Sequence, residues 1–335
     1  MSYKAEKNNL VKTDYCPKDI KEAIEYFINQ FWLKKHSTEE KLVLYHYTTT
    51  EGMKGIIDTR SLWNSDVNYL NDPLELKYGR GIIFNILDSY SKKENDEGIK
   101  RLLNRLKDIT GIQNLYNTYI TCFSKYNNLL SQWERYAAKG YGYNLGFHFS
   151  SDSFSRSKTW YNIEELSEHD FLPCLRKVTY QIDEQYEIVE KFINTIIDGS
   201  KRYLNGGNYI DKAWDAIASI KAADILLELM YSFKSPSFSE EYEWRLVYMI
   251  DKKYKPLIRN HRVNNNIIKP YLDMFIYEGK NGIYNFPLHS IKFGPMLPKE
   301  TTEKSLKDFL QHNNLTSLHP IKVNDEIKID SCYGK

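Results

Sequence analysis

Two blocks of helical periodicity constrain the fold of this 335-residue chain more than any other feature of its sequence. Apolar residues recur every three to four positions across 73–112 and 182–234, whereas the segments around these blocks contain short runs typical of β-strands. Because strands and helices do not alternate regularly, the order favours an α+β fold with a mixed or antiparallel sheet. We therefore predict a helical extension over 1–40 and a single α+β catalytic-type domain over 41–330, with both blocks as helical insertions.

Local patterns predict the individual elements. Asp72 as N-cap, Pro73 in the first turn and Glu75 three residues after the cap indicate a helix that starts at this point. The predicted strands cover 42–47, 116–123, 143–149, 175–181, 241–250, 291–293 and 319–323. The predicted helices cover 18–35, 50–58, 73–90, 96–108, 129–138, 184–198, 211–233 and 300–312.

Composition excludes several classes of protein. The 46 basic and 44 acidic residues nearly cancel, which is not the charge balance of a dedicated DNA-binding protein. No apolar run approaches the roughly 20 residues of a membrane span, and residues 1–10 do not resemble a secretory signal, so we expect a cytoplasmic protein. The four cysteines form no Cys-x-x-Cys pair, and glycine-rich nucleotide-binding fingerprints do not occur.

Three clusters of aromatic and polar residues lie beside predicted strands. They are Tyr45-His46-Tyr47-Thr48, then Leu62-Trp63-Asn64-Ser65 with Asn71-Asp72-Pro73 and Glu75, and finally Cys122-Phe123-Ser124 with Trp133 and Tyr136. Each combines stacking surfaces with hydrogen-bonding groups, as a binding site for a planar ligand requires. Structural explanations stay open for all three, because a histidine can be satisfied at a strand end, Asp72 and Glu75 can cap a helix, and aromatic residues can pack a helix against a sheet.

The fourth cluster is the acidic segment around Trp244. On a strand, Glu241, Glu243 and Arg245 point to one face and Trp244 points to the other. Two carboxylates at this spacing repel each other, which can raise the pKa of one of them, and Arg245 partly offsets the repulsion. The alternative is an ordinary cross-strand ladder of exposed charges.

Taken in order, these clusters resemble the pattern of a widespread bacterial family catalogued as a domain of unknown function. The resemblance covers most of 42–297 and ends with Ile291-Lys292-Phe293-Gly294-Pro295. The family pattern is in turn similar to the ADP-ribosyltransferase fold, which implies NAD as the substrate. A role in host defence or as a toxin is compatible with such bacterial enzymes.

The resemblance also implies roles for individual residues. His46 would bind the adenosine-side ribose of NAD, Glu243 would face the nicotinamide ribose, and Glu241 would orient the acceptor. The other residues expected to contact NAD are Tyr45, Tyr47, Thr48, Trp63, Tyr69, Asn71, Asp72, Glu75, Ser124, Trp133 and Arg245. The middle position of the transferase triad stays open between Trp63, Tyr69 and Ser124.

Cleavage of the nicotinamide–ribose bond develops positive charge on the ribose, and a carboxylate placed against that charge stabilises the transition state. The first hypothesis is therefore an NAD-dependent ADP-ribosyltransferase or NAD glycohydrolase, with a protein, a nucleic acid or water as the acceptor. A second hypothesis is a non-catalytic module that binds a nucleotide or a protein. A third is a metal-assisted hydrolase or nuclease that uses the carboxylates, because hard cations prefer oxygen ligands.

Overall fold

A computed structural model describes residues 42–70, 74–111, 116–149, 174–205, 212–251, 260–264, 266–275, 286–315 and 328–331. The predicted helix 18–35 and the predicted strand 319–323 lie outside the described residues. The strands are β1 (Leu42–Thr48), β2 (Ser61–Asp66), β3 (Tyr116–Ser124), β4 (Tyr143–Phe149), β5 (Cys174–Lys177), β6 (Glu243–Asp251), β7 (Asn260–Asn264), β8 (Ile267–Phe275), β9 (Leu288–Phe293) and β10 (Lys328–Ser331). The helices are α1 (Thr50–Thr59), α2 (Leu74–Lys93), α3 (Glu97–Gly111), α4 (Leu130–Tyr136), α5 (Ile182–Asn205), α6 (Lys212–Ser232) and α7 (Lys299–His312).

All of these strands join one sheet in which β3 is the hub. The order along the main path is β10-β9-β4-β1-β3-β2-β8-β7, and β5 and β6 branch from it. Strand β6 pairs with β3 along its whole length, so β1 and β2 must share the opposite edge of β3. Only the β9–β10 pair is parallel within the described strands. An α+β fold with a mixed, largely antiparallel sheet is therefore confirmed.

The two faces of the sheet carry separate cores. Side chains alternate along β3 and β6, so Ile120 and Val247 point to one face while Phe123 and Leu246 point to the other. We call the first face A and the second face B. The helices α2, α3, α5 and α6 cover face A, and α1 and α7 pack on face B. Across the described part of the chain, no helix is both long enough and apolar enough to cross a membrane.

Strands β2 and β8 contain residues that are unusual in strands, so the sequence does not predict them. Strand β2 was not predicted, because it is short and partly polar; its Asn64 is buried and bonds to Thr121 of β3. Strand β8 contains Pro270, which weighs against a strand in any pattern analysis. Its short partner β7 was also missed. The burial of Asn64 is compensated by a partner 57 residues away in the sequence.

Three predicted strands have bounds that differ by more than one residue in the structure, and one of them, 291–293, begins three residues earlier, at Leu288. The segment 175–181 is a strand only as far as Lys177, after which Thr179 forms a parallel bridge to Phe233 and α5 begins at Ile182. The segment 241–250 becomes a strand only at Glu243, because the chain reaches it through a 3₁₀ turn, Pro236–Glu241. The prediction that Glu241 lies on the strand is therefore wrong.

The contact between α2 and α6 gives a test of this packing. A Cβ added at the buried Gly79 would lie 2.4 Å from the backbone oxygen of Met230, whereas one added at Gly81 would meet nothing within 4 Å. We expect Gly81→Ala to raise the free energy of unfolding by about 0.5–1 kcal/mol through helix propensity. Gly79→Ala should instead lower it by about 1–3 kcal/mol, as overpacking does. Urea unfolding of both variants measures the difference, and equal stabilities would contradict the close approach of α2 and α6.

Candidate functional site

The pairing of β3 with β6 places polar residues on face A. Ser124 lies opposite Glu243 and Cys122 lies opposite Arg245 in this antiparallel ladder. Tyr45 of β1 lies opposite Ser124 on the other edge of β3. Because directly opposed residues of antiparallel strands point to the same face, Tyr45 and Glu243 share face A.

Glu243 is held by two buried cations. Its carboxylate accepts hydrogen bonds from Arg245 through Nε at 2.9 Å and Nη2 at 3.0 Å, and from Nζ of Lys234 at 2.8 Å. Arg245 also donates to Glu75 in the first turn of α2, and the carbonyl oxygen of Tyr231 accepts from its Nη1 at 2.8 Å. The carboxylate therefore has a fixed position and direction before any ligand arrives.

Glu241 also contacts Lys234, but through a turn of the backbone and not through the predicted alternation along a strand. Tyr242 adopts a left-handed backbone conformation, with φ 46° and ψ 46°, which is uncommon for a bulky residue. This turn brings the Glu241 carboxylate to Nζ of Lys234 at 2.5 Å and to Nη1 of Arg135 at 2.8 Å. Lys234 therefore bridges Glu241 and Glu243, although strand alternation does not align them.

The group is buried, which excludes the exposed charge ladder as an explanation. The exposed fraction is 2% for Glu241, 6% for Glu243 and 2% for Arg245. Trp244 is buried as predicted, with an exposed fraction of 9%. Three carboxylates, those of Glu75, Glu241 and Glu243, face the cations Lys234, Arg245 and Arg135, and we call these six residues the ion cluster.

Burial and charge act in opposite directions on the pKa values of the ion cluster. Burial raises the pKa of Glu243, Lys234 opposes that rise, and the nearby Glu241 adds to it. Burial alone would lower the pKa of Lys234, but the two carboxylates raise it above its usual value. Burial lowers the pKa of Arg245 to about 9, so this arginine still carries its charge at neutral pH.

A cavity of about 570 Å³ lies beside Glu243. Its lining includes the aromatic residues Tyr126, Tyr180, Tyr242 and Trp244 and the lysines Lys125 and Lys177. Tyr180 accepts a hydrogen bond from the backbone N–H of Glu243 at 3.0 Å, which ties the cavity wall to β6. The cavity thus combines two carboxylates, those of Glu184 and Glu243, with planar side chains and two cations.

The structure does not bring His46 together with Glu243. His46 follows Tyr45 on an extended strand, so its side chain points to face B, where its ring lies 5.8 Å from that of Phe123. Its Nδ1 lies 2.9 Å from the carbonyl oxygen of Cys122, and since a carbonyl only accepts, Nδ1 carries the proton. Burial lowers the pKa of His46 to about 4, although this hydrogen bond opposes the shift. The ring is therefore neutral at pH 7, with Nε2 as an acceptor.

Several other predicted contact residues support the backbone. Tyr47 donates to the carbonyl oxygen of Tyr126 at 2.9 Å, accepts from the N–H of Leu129 at 3.0 Å and packs edge-on against Trp133. Ser124 donates to the carbonyl oxygen of Glu241 at 2.9 Å. These bonds fix the loop between β3 and α4 and the turn before β6.

The remaining predicted residues lie elsewhere or outside the described ranges. Thr48 is buried at the end of β1, and Tyr69 is 43% exposed in a 3₁₀ turn, Val67–Tyr69. Trp63 packs against Tyr271 of β8 at 5.0 Å, away from the ion cluster. Asn71 and Asp72 lie outside the described residues.

Two cations of the site, Lys234 and Arg135, were not among the predicted site residues. Lys234 lies in the short segment between α6 and Pro236, and no local sequence pattern indicates a role for it. Arg135 lies inside the Trp133-x-x-Tyr136 motif, yet it contacts Glu241 only because α4 packs near the Pro236–Glu241 turn. Both contacts depend on the tertiary fold.

The carboxylates are occupied by protein cations instead of being arranged around an open metal position. Within the ranges that the structure covers, no three His, Cys, Asp or Glu side chains are grouped to hold a metal ion. The oxygens of Glu243 already accept from Lys234 and Arg245. The geometry therefore gives no specific support to the metal-assisted hydrolase hypothesis.

A family model described as "Protein of unknown function (DUF2971)" matches residues 132–246. The matched segment extends from α4 to β6 and contains Lys234, Glu241, Glu243 and Arg245. No curated protein and no solved structure gives a significant match to the chain.

Removing Lys234 should expose the energetic role of the ion cluster. We expect Lys234→Met to lower the free energy of unfolding by about 3 kcal/mol at pH 7, because Glu241 and Glu243 lose a buried cation. The loss should shrink as the pH falls towards 4, since burial raises the pKa of Glu243 and, without Lys234 to oppose it, this carboxylate binds a proton in the folded variant at a higher pH than in the unfolded chain. Urea unfolding between pH 4 and 7 measures both effects.

Arg135→Gln is the matched control. The side chain of Arg135 is 45% exposed although it pairs with the same Glu241, so its removal should cost under about 1 kcal/mol. A loss for Lys234→Met that equals the control or does not depend on pH would contradict the bridging role of Lys234.

Proposed function

We propose that this chain cleaves the nicotinamide–ribose bond of NAD, as an ADP-ribosyltransferase or an NAD glycohydrolase with Glu243 as the catalytic carboxylate. The observation that carries the proposal is that Glu243 both lines the cavity and is fixed by Arg245 and Lys234. The proposal includes a relationship to the ADP-ribosyltransferase fold, which the sequence pattern implies.

The position of Glu243 suits the chemistry of bond cleavage. Loss of nicotinamide leaves an oxocarbenium-like ribose, and a carboxylate that needs no reorganisation stabilises that charge as it develops. Arg245 and Lys234 oppose protonation of the buried carboxylate and set its direction, although they also offset part of its field. The shared cation Lys234 makes Glu241 a positioning residue for Glu243 in this mechanism.

The rest of the cavity matches the parts of a dinucleotide. Tyr126 and Tyr242 offer aromatic surfaces at the cavity wall for a planar nicotinamide or adenine ring, and their own rings lie 4.7 Å apart. Lys125 and Lys177 carry positive charge next to this wall, where they complement the diphosphate. His46 is not needed for this mode of binding, since its side chain lies on face B.

The test is release of free nicotinamide from NAD, followed by chromatography. Assays contain either buffer alone, so that water is the acceptor, or added protein or nucleic acid. We expect Glu243→Gln to reduce release by about 10² to 10³-fold, because the substitution removes the charge that faces the transition state. Circular dichroism must accompany the assay, since the substitution also removes a buried partner of Arg245 and Lys234.

Glu240→Gln is the matched control. Glu240 lies in the same turn, but its side chain is 47% exposed and forms a long ion pair of 3.7 Å with Arg135. We therefore expect Glu240→Gln to leave the release of nicotinamide unchanged. Unchanged turnover in folded Glu243→Gln protein would show that another residue is catalytic. A wild-type protein that releases no nicotinamide with any acceptor would favour a non-catalytic binding module.

A further inference from the structure

Arg262 lies in a second polar cluster, on the strands β7, β8 and β2. Its guanidinium lies 5.6 Å from the ring centre of Trp63 and 5.8 Å from that of Tyr271. Its Nη2 donates to the hydroxyl of Ser65 at 2.6 Å. Lys269 lies directly opposite Arg262 in the β7–β8 ladder. We call these five residues the Arg262 cluster.

Within the described ranges, no carboxylate balances the charge of Arg262. Among the residues that the structure describes, none forms an ion pair with it, and its buried Nε has no hydrogen-bond acceptor. Burial lowers the pKa of Arg262. Burial also lowers the pKa of Lys269, and the positive charge of Arg262 lowers it further. The same charge contributes to the low pKa of His46.

Such an arrangement is unfavourable without a ligand. A desolvated guanidinium without a counter-ion costs free energy, and like charges directly opposite each other on a sheet repel. The two aromatic rings hold the guanidinium plane and add cation–π attraction, but they leave the positive charge uncompensated. An anion at this position would compensate it.

We propose that the Arg262 cluster binds the phosphate group of a small phosphorylated ligand. The charge of Arg262 is delocalised over several N–H donors, and these suit the several oxygens of a phosphate better than the two oxygens of a carboxylate. The terminal nitrogens of Arg262 present a planar set of N–H donors that suits phosphate oxygens, and the Ser65 hydroxyl can donate to the same group.

This site is independent of the proposed function. None of the five residues belongs to the described lining of the cavity beside Glu243. The Arg262 cluster would therefore bind phosphate whether or not the chain cleaves NAD.

The test is titration of the full chain with inorganic phosphate, followed by the indole N–H signal of Trp63 in ¹H–¹⁵N NMR spectra. The signal is assigned by its loss in Trp63→Phe. We expect a saturable shift with phosphate and a binding constant at least about tenfold weaker for acetate at equal ionic strength. A parallel titration with adenosine monophosphate distinguishes the two sources of the phosphate group. Tighter binding than that of inorganic phosphate indicates a nucleotide, and equal binding indicates the free anion.

Variants make the assignment specific to Arg262. Arg262→Gln should weaken phosphate binding by about 10 to 100-fold, the effect of losing one or two charge-assisted hydrogen bonds. Its melting temperature should not fall, because the substitution removes an unpaired charge. Arg101→Gln removes an exposed arginine of α3 and should bind phosphate like the wild type.

Three results would overturn the proposal. They are a shift that does not saturate, phosphate binding that survives in Arg262→Gln, and acetate binding as tight as phosphate. If Arg262→Gln does not fold, Lys269→Met provides the same comparison, because it removes the second cation and should also weaken binding about tenfold.

Discussion

The bridge that Lys234 forms between Glu241 and Glu243 is the interaction on which the site depends. A buried ammonium group is tolerable only with opposite charges at contact distance, so the chain must bring both carboxylates to it. Lys234 follows the end of α6, Glu241 ends a 3₁₀ turn, and Glu243 begins β6. The left-handed conformation of Tyr242 makes this convergence possible. The first helical block contributes Glu75 and the second ends with Lys234, so the ion cluster joins both helical blocks to the sheet, and α4 adds Arg135.

The sequence predicts those parts of the fold that have a local signal. Apolar alternation identifies β1, β3 and β4, and helical periodicity identifies the helices on both faces. Strand β2 was missed because it contains the buried polar residue Asn64. A hydrogen bond with Thr121 of β3 compensates the burial of this amide, and a partner on another strand leaves no signal in the local sequence. Strand β8 was missed because Pro270 opposes a strand assignment. The division of 1–40 and 41–330 into an extension and a single domain stays a prediction.

The site was predicted only in part. Contacts between residues close in sequence were predicted, whereas contacts that depend on the tertiary fold were missed. Glu243 and Arg245 are two residues apart on one strand, so the prediction that they share a face is correct. Lys234 was missed because it reaches the carboxylates only through tertiary packing. The face of His46 depends on the register of β1 with β3, and a shift of one residue would reverse it. Arg262 was missed because its aromatic partners lie on other strands.

The role of Glu243 is tested most directly by a crystal structure of the Glu243→Gln variant with NAD, since slow cleavage would preserve the bound dinucleotide. We expect NAD in the cavity, with its nicotinamide ribose in contact with the side chain at position 243 and its diphosphate near Lys125 and Lys177. Dinucleotide density on face B beside His46, with no nucleotide in the cavity, would contradict the assignment of Glu243.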